Sequence, residues 1–152
     1  MPSPIIKIRK FKKGDERKLS YLCRKCITSI NSKDISKKEA EVLYHCYSPG
    51  RIVQDSSRFD VYVAETKGKI IGTASLTDHW VKSVFVNPLL HGKGIGTQLM
   101  EYMEKLLKRR GIRSASLKSS PYAINFYKKI GYKKVKDMHL EVGPVTEMNK
   151  IL

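Results

Sequence analysis

The segment His91-Gly92-Lys93-Gly94-Ile95-Gly96-Thr97 places three glycines between a strand-like run, Val84-Phe85-Val86-Asn87-Pro88, and a long helical pattern. Glycine lets the backbone take positive φ and lets a ligand approach the main chain closely. The helix that follows offers unpaired N–H groups and the positive end of its dipole. Together these make an anion cradle suited to a diphosphate; a glycine-rich turn with no ligand is the alternative. Two other cradles do not fit the spacing. A Walker loop needs Gly-x-x-x-x-Gly-Lys-Ser/Thr, which is absent. A dinucleotide fingerprint needs Gly-x-Gly-x-x-Gly at the opening of a βαβ unit, whereas here the spacing is Gly-x-Gly-x-Gly and two further strands precede its own.

A second group with chemical potential is Cys23-x-x-Cys26, with His45-Cys46 downstream. It invites a zinc reading, but the spacing departs from the usual ligand patterns. Leu19, Leu22, Cys23, Cys26, Ile27 and Ile30 recur at i, i+3, i+4 and i+7, the stripe of an amphipathic helix. Both cysteines fall on that stripe, where a small hydrophobe packs well. Three cysteines cannot all pair, so free thiols and no metal are expected.

The elements around the glycine loop follow from periodicity. Residues 4–10 carry Ile6 and Ile8 in alternation, a first strand. Asp15 is positioned as the N-cap of a helix running to about Ile30, and Ser36-x-x-Glu39 is a capping box that opens a second helix ending at Ser48-Pro49-Gly50. The polar stretch Arg51–Arg58 reads as a loop. Phe59–Glu65, Lys69–Thr77 and Trp80–Val86 form three consecutive strands, joined by Lys67-Gly68 and Asp78-His79. From Ile95 the period becomes helical: Ile95, Leu99, Tyr102, Met103, Leu106 and Leu107 share one face. The pairs Glu101–Lys105 and Glu104–Lys108 are expected on the other, with Gly111 as the C-terminal αL residue. Arg113–Leu117 is strand-like, and Ser120-Pro121 opens a short helix that Gly131 closes. Tyr132–Val135, Met138–Val142 and Val145–Asn149 supply two or three last strands around Gly143-Pro144. The order β-α-α-β-β-β-α-β-α-β-β predicts an α/β (α+β) fold with a mixed sheet flanked by helices.

At 152 residues the chain suits one domain, expected to span 1–152. Hydrophobic residues make up 41% and charged residues 29%, a soluble profile without an apolar run long enough to span a bilayer and without a leader. A cytoplasmic protein with no membrane attachment is the expectation. The net charge of +16 concentrates in Lys7–Lys18, Lys105–Arg113 and Lys128–Lys136. Such a field attracts a nucleic acid, a nucleotide cofactor or an acidic partner. A lysine-rich solubilising surface explains it equally well.

Two segments resemble the GCN5-related N-acetyltransferase (GNAT) superfamily. The family's Pro-x-x-[Gln/Arg]-x-x-Gly-x-[Gly/Ala] signature, set between a strand and a helix, is matched by Pro88-Leu89-Leu90-His91-Gly92-Lys93-Gly94-Ile95-Gly96. Its Asn-Phe-Tyr-x-x-x-Gly-Tyr/Phe segment is matched by Asn125-Phe126-Tyr127-Lys128-Lys129-Ile130-Gly131-Tyr132. The resemblance is specific for residues 80–132 and extends in element order over nearly the whole chain. His91 stands where Gln or Arg is usual, a change expected to adjust the loop rather than abolish binding, since backbone amides hold the phosphates.

The resemblance implies a GNAT-type, mostly antiparallel central sheet and an acetyl-CoA-dependent N-acetyltransferase acting on a primary amine. The loop His91–Thr97 (His91, Gly92, Lys93, Gly94, Ile95, Gly96 and Thr97) would hold the CoA pyrophosphate, chiefly through amides from Lys93 onward. The edge at Val84, Phe85 and Val86 would pair with the pantetheine arm. Asn125 would contact the cofactor, and Tyr127 would protonate the departing thiolate. Ala123, Phe126, Tyr127 and Ile130 share a helical face, so Tyr127 packs in the core while its hydroxyl reaches the cleft. The acceptor amine needs a base or water relay, for which Asp78, His79 and Glu65 are candidates. Trp80 either lines the acceptor pocket or packs in the core. Members of the family often pair, so a homodimer is an allowed expectation. The alternative function is a non-catalytic CoA- or nucleic-acid-binding module, with nucleic acid the less favoured partner; a zinc-stabilised helical adaptor is a third and thinner reading.

Overall fold

Alternating residues across the middle of the chain build one seven-stranded sheet, in the order β1-β2-β3-β4-β5-β7-β6. The structure, a computed structural model, describes residues 5–30 and 33–152. Pro4, the first residue of the expected N-terminal strand, lies outside them. The strands are β1 (Lys7–Lys10), β2 (Asp60–Thr66), β3 (Lys69–Thr77), β4 (Trp80–Val86), β5 (Ser114–Ser119), β6 (Lys133–Leu140) and β7 (Gly143–Ile151). Every neighbouring pair is antiparallel except β4 and β5, which run parallel. The C-terminal region resolves into two strands rather than three, with Gly143-Pro144 opening β7 at the hairpin turn.

Five helices cover the two faces: α1 (Glu16–Thr28), α2 (Lys37–His45), α3 (Pro49–Ser56), α4 (Ile95–Arg109) and α5 (Ile124–Lys129). The capping box at Ser36 is complete, because the Ser36 side chain accepts from the Glu39 N–H while Glu39 accepts from the Ser36 N–H. One expectation needs correcting. The stretch read as a loop at Arg51–Arg58 is largely helix α3, capped by Ser48 and started by Pro49 at its first position. It buries only Ile52, so its polar sequence carries little periodic signal. None of the helices among the described residues is long and apolar enough to cross a membrane.

One face of the sheet packs against α4 and α5. Leu99, Met103 and Leu107 of α4 are fully buried there against Ala74, Leu76, Ala115 and Leu117. The other face meets α1 and α3 through Leu19, Leu22, Cys23, Cys26 and Ile52, so the cysteine pair lies in the core as the apolar stripe predicts. Glu104 departs from the sequence reading. It turns inward rather than toward Lys108, accepting from the Tyr132 hydroxyl at 2.9 Å and from Lys150 Nζ at 2.9 Å. That bridge ties α4 to the start of β6 and to β7.

Asp15 does stand at the N-cap of α1, but its side chain does not cap the helix. The carboxylate accepts from Arg9 Nη1 at 2.8 Å, from Arg9 Nη2 at 3.1 Å and from the Lys12 N–H at 2.9 Å. The Arg9 guanidinium thus holds the Asp15 carboxyl below its usual range. A carboxyl with a depressed folded-state pKa contributes stability above its unfolded value of about 3.9 and loses it as pH falls through the folded value. Asp15→Asn should therefore cost about 1.5–3 kcal/mol at neutral pH, the range for hydrogen bonds to charged groups. Denaturant unfolding of the two proteins should show that difference shrinking steadily as the pH is taken below 4.

Candidate functional site

Strand β4 is held on one side only. Against β3 it pairs along its length, but against β5 the register contains a single pair, Trp80↔Ser116. Beyond that pair the two parallel strands diverge. The cause lies in β4 itself: its pairing with β3 shifts between Thr73↔Phe85 and Ser75↔Lys82, a bulge in which Ser83 takes φ 53°. A bulge adds a residue to one strand, bends it and increases its twist. Ser83 is stabilised in this conformation by a 2.8 Å hydrogen bond between its hydroxyl and that of Tyr47. The Tyr47 ring also sits edge-on to Phe85 at 5.0 Å.

The divergence opens a cavity of about 440 Å³. Its floor is the stretch Val81–Phe85 of β4 and Leu117–Ser119 of β5. The segment joining α1 to α2 contributes Asp34 and Ile35, and the β6–β7 hairpin contributes Leu140 and Val142. These two lips touch. His139 Nε2 meets Glu39 Oε2, and a Cβ on Gly143 would lie 3.4 Å from Ile35 Cγ1.

At the end of β4 the chain turns through Pro88–Leu90 into the glycine loop. Gly92 and Gly94 both have φ 81°, the left-handed region that disfavours a Cβ. Gly94 is the N-cap of α4, and the helical ladder begins with the Gln98 N–H donating to the Gly94 carbonyl at 3.0 Å. The N–H groups of Ile95, Gly96 and Thr97 therefore precede the ladder and face outward from the helix start. Gly96 allows close approach of α5: a Cβ there would lie 3.1 Å from Phe126 Cζ. The two sequence motifs meet at this contact.

His91, the irregular residue of the first motif, reaches back so that Nε2 lies 3.0 Å from the Val86 carbonyl. The Cys26 thiol donates to the same oxygen at 3.2 Å. The last carbonyl of β4 is thus already engaged, and before it lies Val84, which is registered with neither β3 nor β5, whereas Phe85 pairs with Thr73 of β3.

Tyr127 is 6% exposed and packs edge-on to Phe126 and Tyr132, with ring centroids at 5.1 and 5.8 Å. It nevertheless lines the cavity. Burial pushes this phenol well above its usual pKa, so it keeps its proton. Core packing and access to the cleft coincide in one side chain. Asn125 is exposed on α5 and does not line the cavity.

The three candidate bases are not brought to the cavity. Glu65 lies on β2 and accepts from Arg9 Nη2 at 3.2 Å, far along the sheet from the gap. Asp78 and His79 form the β3–β4 turn at the closed end, where the His79 carbonyl accepts from the Ser116 N–H at 2.9 Å. Trp80 does line the cavity. The only carboxylate among the lining residues is Asp34, which sequence reasoning passed over. Its one signal was position, in a short connection between two helices just ahead of a capping box.

The arrangement can be compared with known proteins. Over 85 residues the chain is 31% identical to an uncharacterized N-acetyltransferase of Methanocaldococcus jannaschii, a match that takes in 47% of this chain and 38% of that relative. The chain thus spans well under half the length of the curated relative it matches. A GCN5-related N-acetyltransferase from Rhodopseudomonas palustris superposes with a TM-score of 0.92 at 22% identity, covering 100% of this chain and 99% of that one. The PaiA N-acetyltransferase of Thermoplasma acidophilum, solved in complex with coenzyme A, superposes with a TM-score of 0.82 at 22% identity, covering 97% and 99%. At these identities the likeness is one of fold. Residues 57–134, just over half of the sequence and the part that carries the gap, the glycine loop and Tyr127, match the acetyltransferase (GNAT) domain, and the chain belongs to that family.

Proposed function

We propose that this chain transfers an acetyl group from acetyl-CoA to a primary amine by direct attack of the amine on the thioester, with residues 1–152 acting as one domain. The observation that carries the reading is the gap between β4 and β5. It leaves strand backbone unpaired beside a cavity, next to a helix start that presents free amides. A diphosphate on the amides of Lys93–Thr97 and an extended amide-bearing arm bonded at Val84 would satisfy both sets of groups at once. The coenzyme A seen with the Thermoplasma relative supports the same ligand.

The thioester carbonyl would then lie over the unpaired β4 backbone. An N–H directed at that oxygen gains strength as negative charge develops on it, which lowers the barrier by a few kcal/mol. Tyr127 would face the sulfur. Because its phenol stays protonated, it donates a hydrogen bond to the leaving thiolate as the C–S bond breaks. The attacking amine must lose a proton, and Asp34, which lines the cavity, would receive it directly or through water.

Acetyl-CoA should raise the melting temperature in a thermal-shift titration, and an amine panel should release free thiol. Absence of stabilisation at millimolar acetyl-CoA would overturn the reading. Tyr127→Phe should lower kcat by roughly a hundredfold, the scale of one hydrogen-bond donor to a developing charge, with acetyl-CoA affinity nearly unchanged. Equal loss of kcat and affinity would contradict that role. Gly94→Val forces a β-branched residue to φ 81°, a strain of about 1–2 kcal/mol, and should weaken acetyl-CoA binding before it affects turnover at saturation.

A further inference from the structure

Two lysines, Lys82 on β4 and Lys118 on β5, line the cavity without an acidic ion-pair partner among the described residues. Each ammonium is held against an aromatic face instead: Lys82 Nζ lies 4.3 Å from the centroid of Phe59, and Lys118 Nζ lies 5.4 Å from that of Trp80. The neighbouring charges do not offset them. Asp55 is already bonded to Arg58 at 2.9 Å, so the surroundings of Lys82 hold more positive than negative charge. Partial desolvation, and then Lys118, draw the Lys82 ammonium below the ordinary lysine value, as expected of two cations sharing a space.

The pair is also on the wrong side of the sheet to serve the glycine loop. Val81 is buried within the cluster that includes α4, so by strand alternation Trp80 and Lys82 project from the other face. Phe59, against which Lys82 rests, packs with the cluster of α1 and α3. That face is where the α1–α2 connection places Asp34. The cavity wall therefore holds one carboxylate and two exposed lysines without an ion pair among the described residues, which suits a ligand carrying charges of both signs.

Resting on the acetyl-transfer reading above, we propose that the acceptor is a small amine bearing an anionic group, a carboxylate or a phosphate, which is seated on Lys82 and Lys118. The amine of such a molecule is directed to the thioester while its anion supplies a counter-charge to the lysine pair. Aromatic faces at Phe59 and Trp80 fix the two ammonium groups and leave their N–H donors for that anion.

Matched acceptors test this: amino acids against their carboxamides for the carboxylate arm, and O-phosphoethanolamine against ethanolamine for the phosphate arm. With thiol release as the readout, the anionic member of at least one arm should be preferred in kcat/KM by about tenfold or more, the scale of a charge-assisted hydrogen bond. In Lys82→Gln and Lys118→Gln the preference should fall toward one, while the KM for acetyl-CoA and the rate with the neutral amine are retained. Neutral and anionic members used equally well, or variants that lower both equally, would overturn the proposal. The same pairs titrated calorimetrically into the free protein read the lysine pair without the reaction. Binding of the anionic member alone, lost in both variants, supports the proposal even where no thiol is released, and no binding difference in either arm sinks it. Failure of acetyl-CoA to bind is a separate result that strikes only the transfer reading.

Discussion

The structure turns on the unpaired side of β4. A strand in the middle of a sheet ordinarily has both rows of backbone groups bonded, and a buried N–H or C=O without a partner costs about 1–3 kcal/mol. Here the bond row facing β5 ends after Trp80↔Ser116. The bulge at Ser83 maintains the divergence, and it is a conformation with positive φ at a non-glycine residue. Tyr47 holds it by hydrogen bond and ring contact, and Tyr47 is in turn anchored where the Ser20 hydroxyl donates to its carbonyl at 2.6 Å. The helical layer of α1–α3 is thus the support that keeps the sheet open, besides covering an apolar face.

What fills the open row varies along β4. At its end the Val86 carbonyl is satisfied internally by Cys26 and His91. Both residues looked like chemistry in the sequence, one as a metal ligand and one as a phosphate-loop irregularity. Their shared partner gives each a structural task, satisfying the carbonyl at the end of the strand. A cysteine buried on an amphipathic stripe is a weak donor and a small hydrophobe, and this one uses both properties. Burial pushes its thiol up to about 11.

Those parts of the fold that depend on local period were legible in the sequence. Lys69–Thr77 and Trp80–Val86 match their strands residue for residue because alternation and turn residues both act over a few positions. The capping box at Ser36 is equally local. Helix α3 was missed although Ser48-Pro49 carries the same N-cap and proline signal as Ser120-Pro121, because its single buried residue hides the helical period. Glu104 was misplaced for the opposite reason: the i,i+4 spacing to Lys108 is visible in the sequence, whereas Tyr132 and Lys150 reach it only in the fold. The cavity follows the same rule. Asp78, His79 and Glu65 stand out as polar residues at strand ends, yet a cleft between diverging parallel strands lies at one end of them. Which residues line it depends on the bulge, the α1–α2 connection and the β6–β7 hairpin together. Asp34, Lys82 and Lys118 line one cavity although 84 positions separate the first from the last, and no local pattern encodes that.

Tyr127 shows how burial alters the chemistry expected of a residue type. A phenol raised above its ordinary value is a poorer acid toward a thiol of reference pKa near 8.5, so full proton transfer in water-like terms runs uphill. In the proposed transfer, however, the thiolate would form in the same desolvated space, and burial disfavours its charge just as it disfavours the phenolate. What survives this cancellation is a hydrogen bond from a donor that never loses its proton to a sulfur that is gaining charge. Such a donor needs no particular pH to be in the correct state. On the proposed mechanism the pH sensitivity of transfer would then arise at the attacking amine and at whatever group receives its proton, and not at Tyr127.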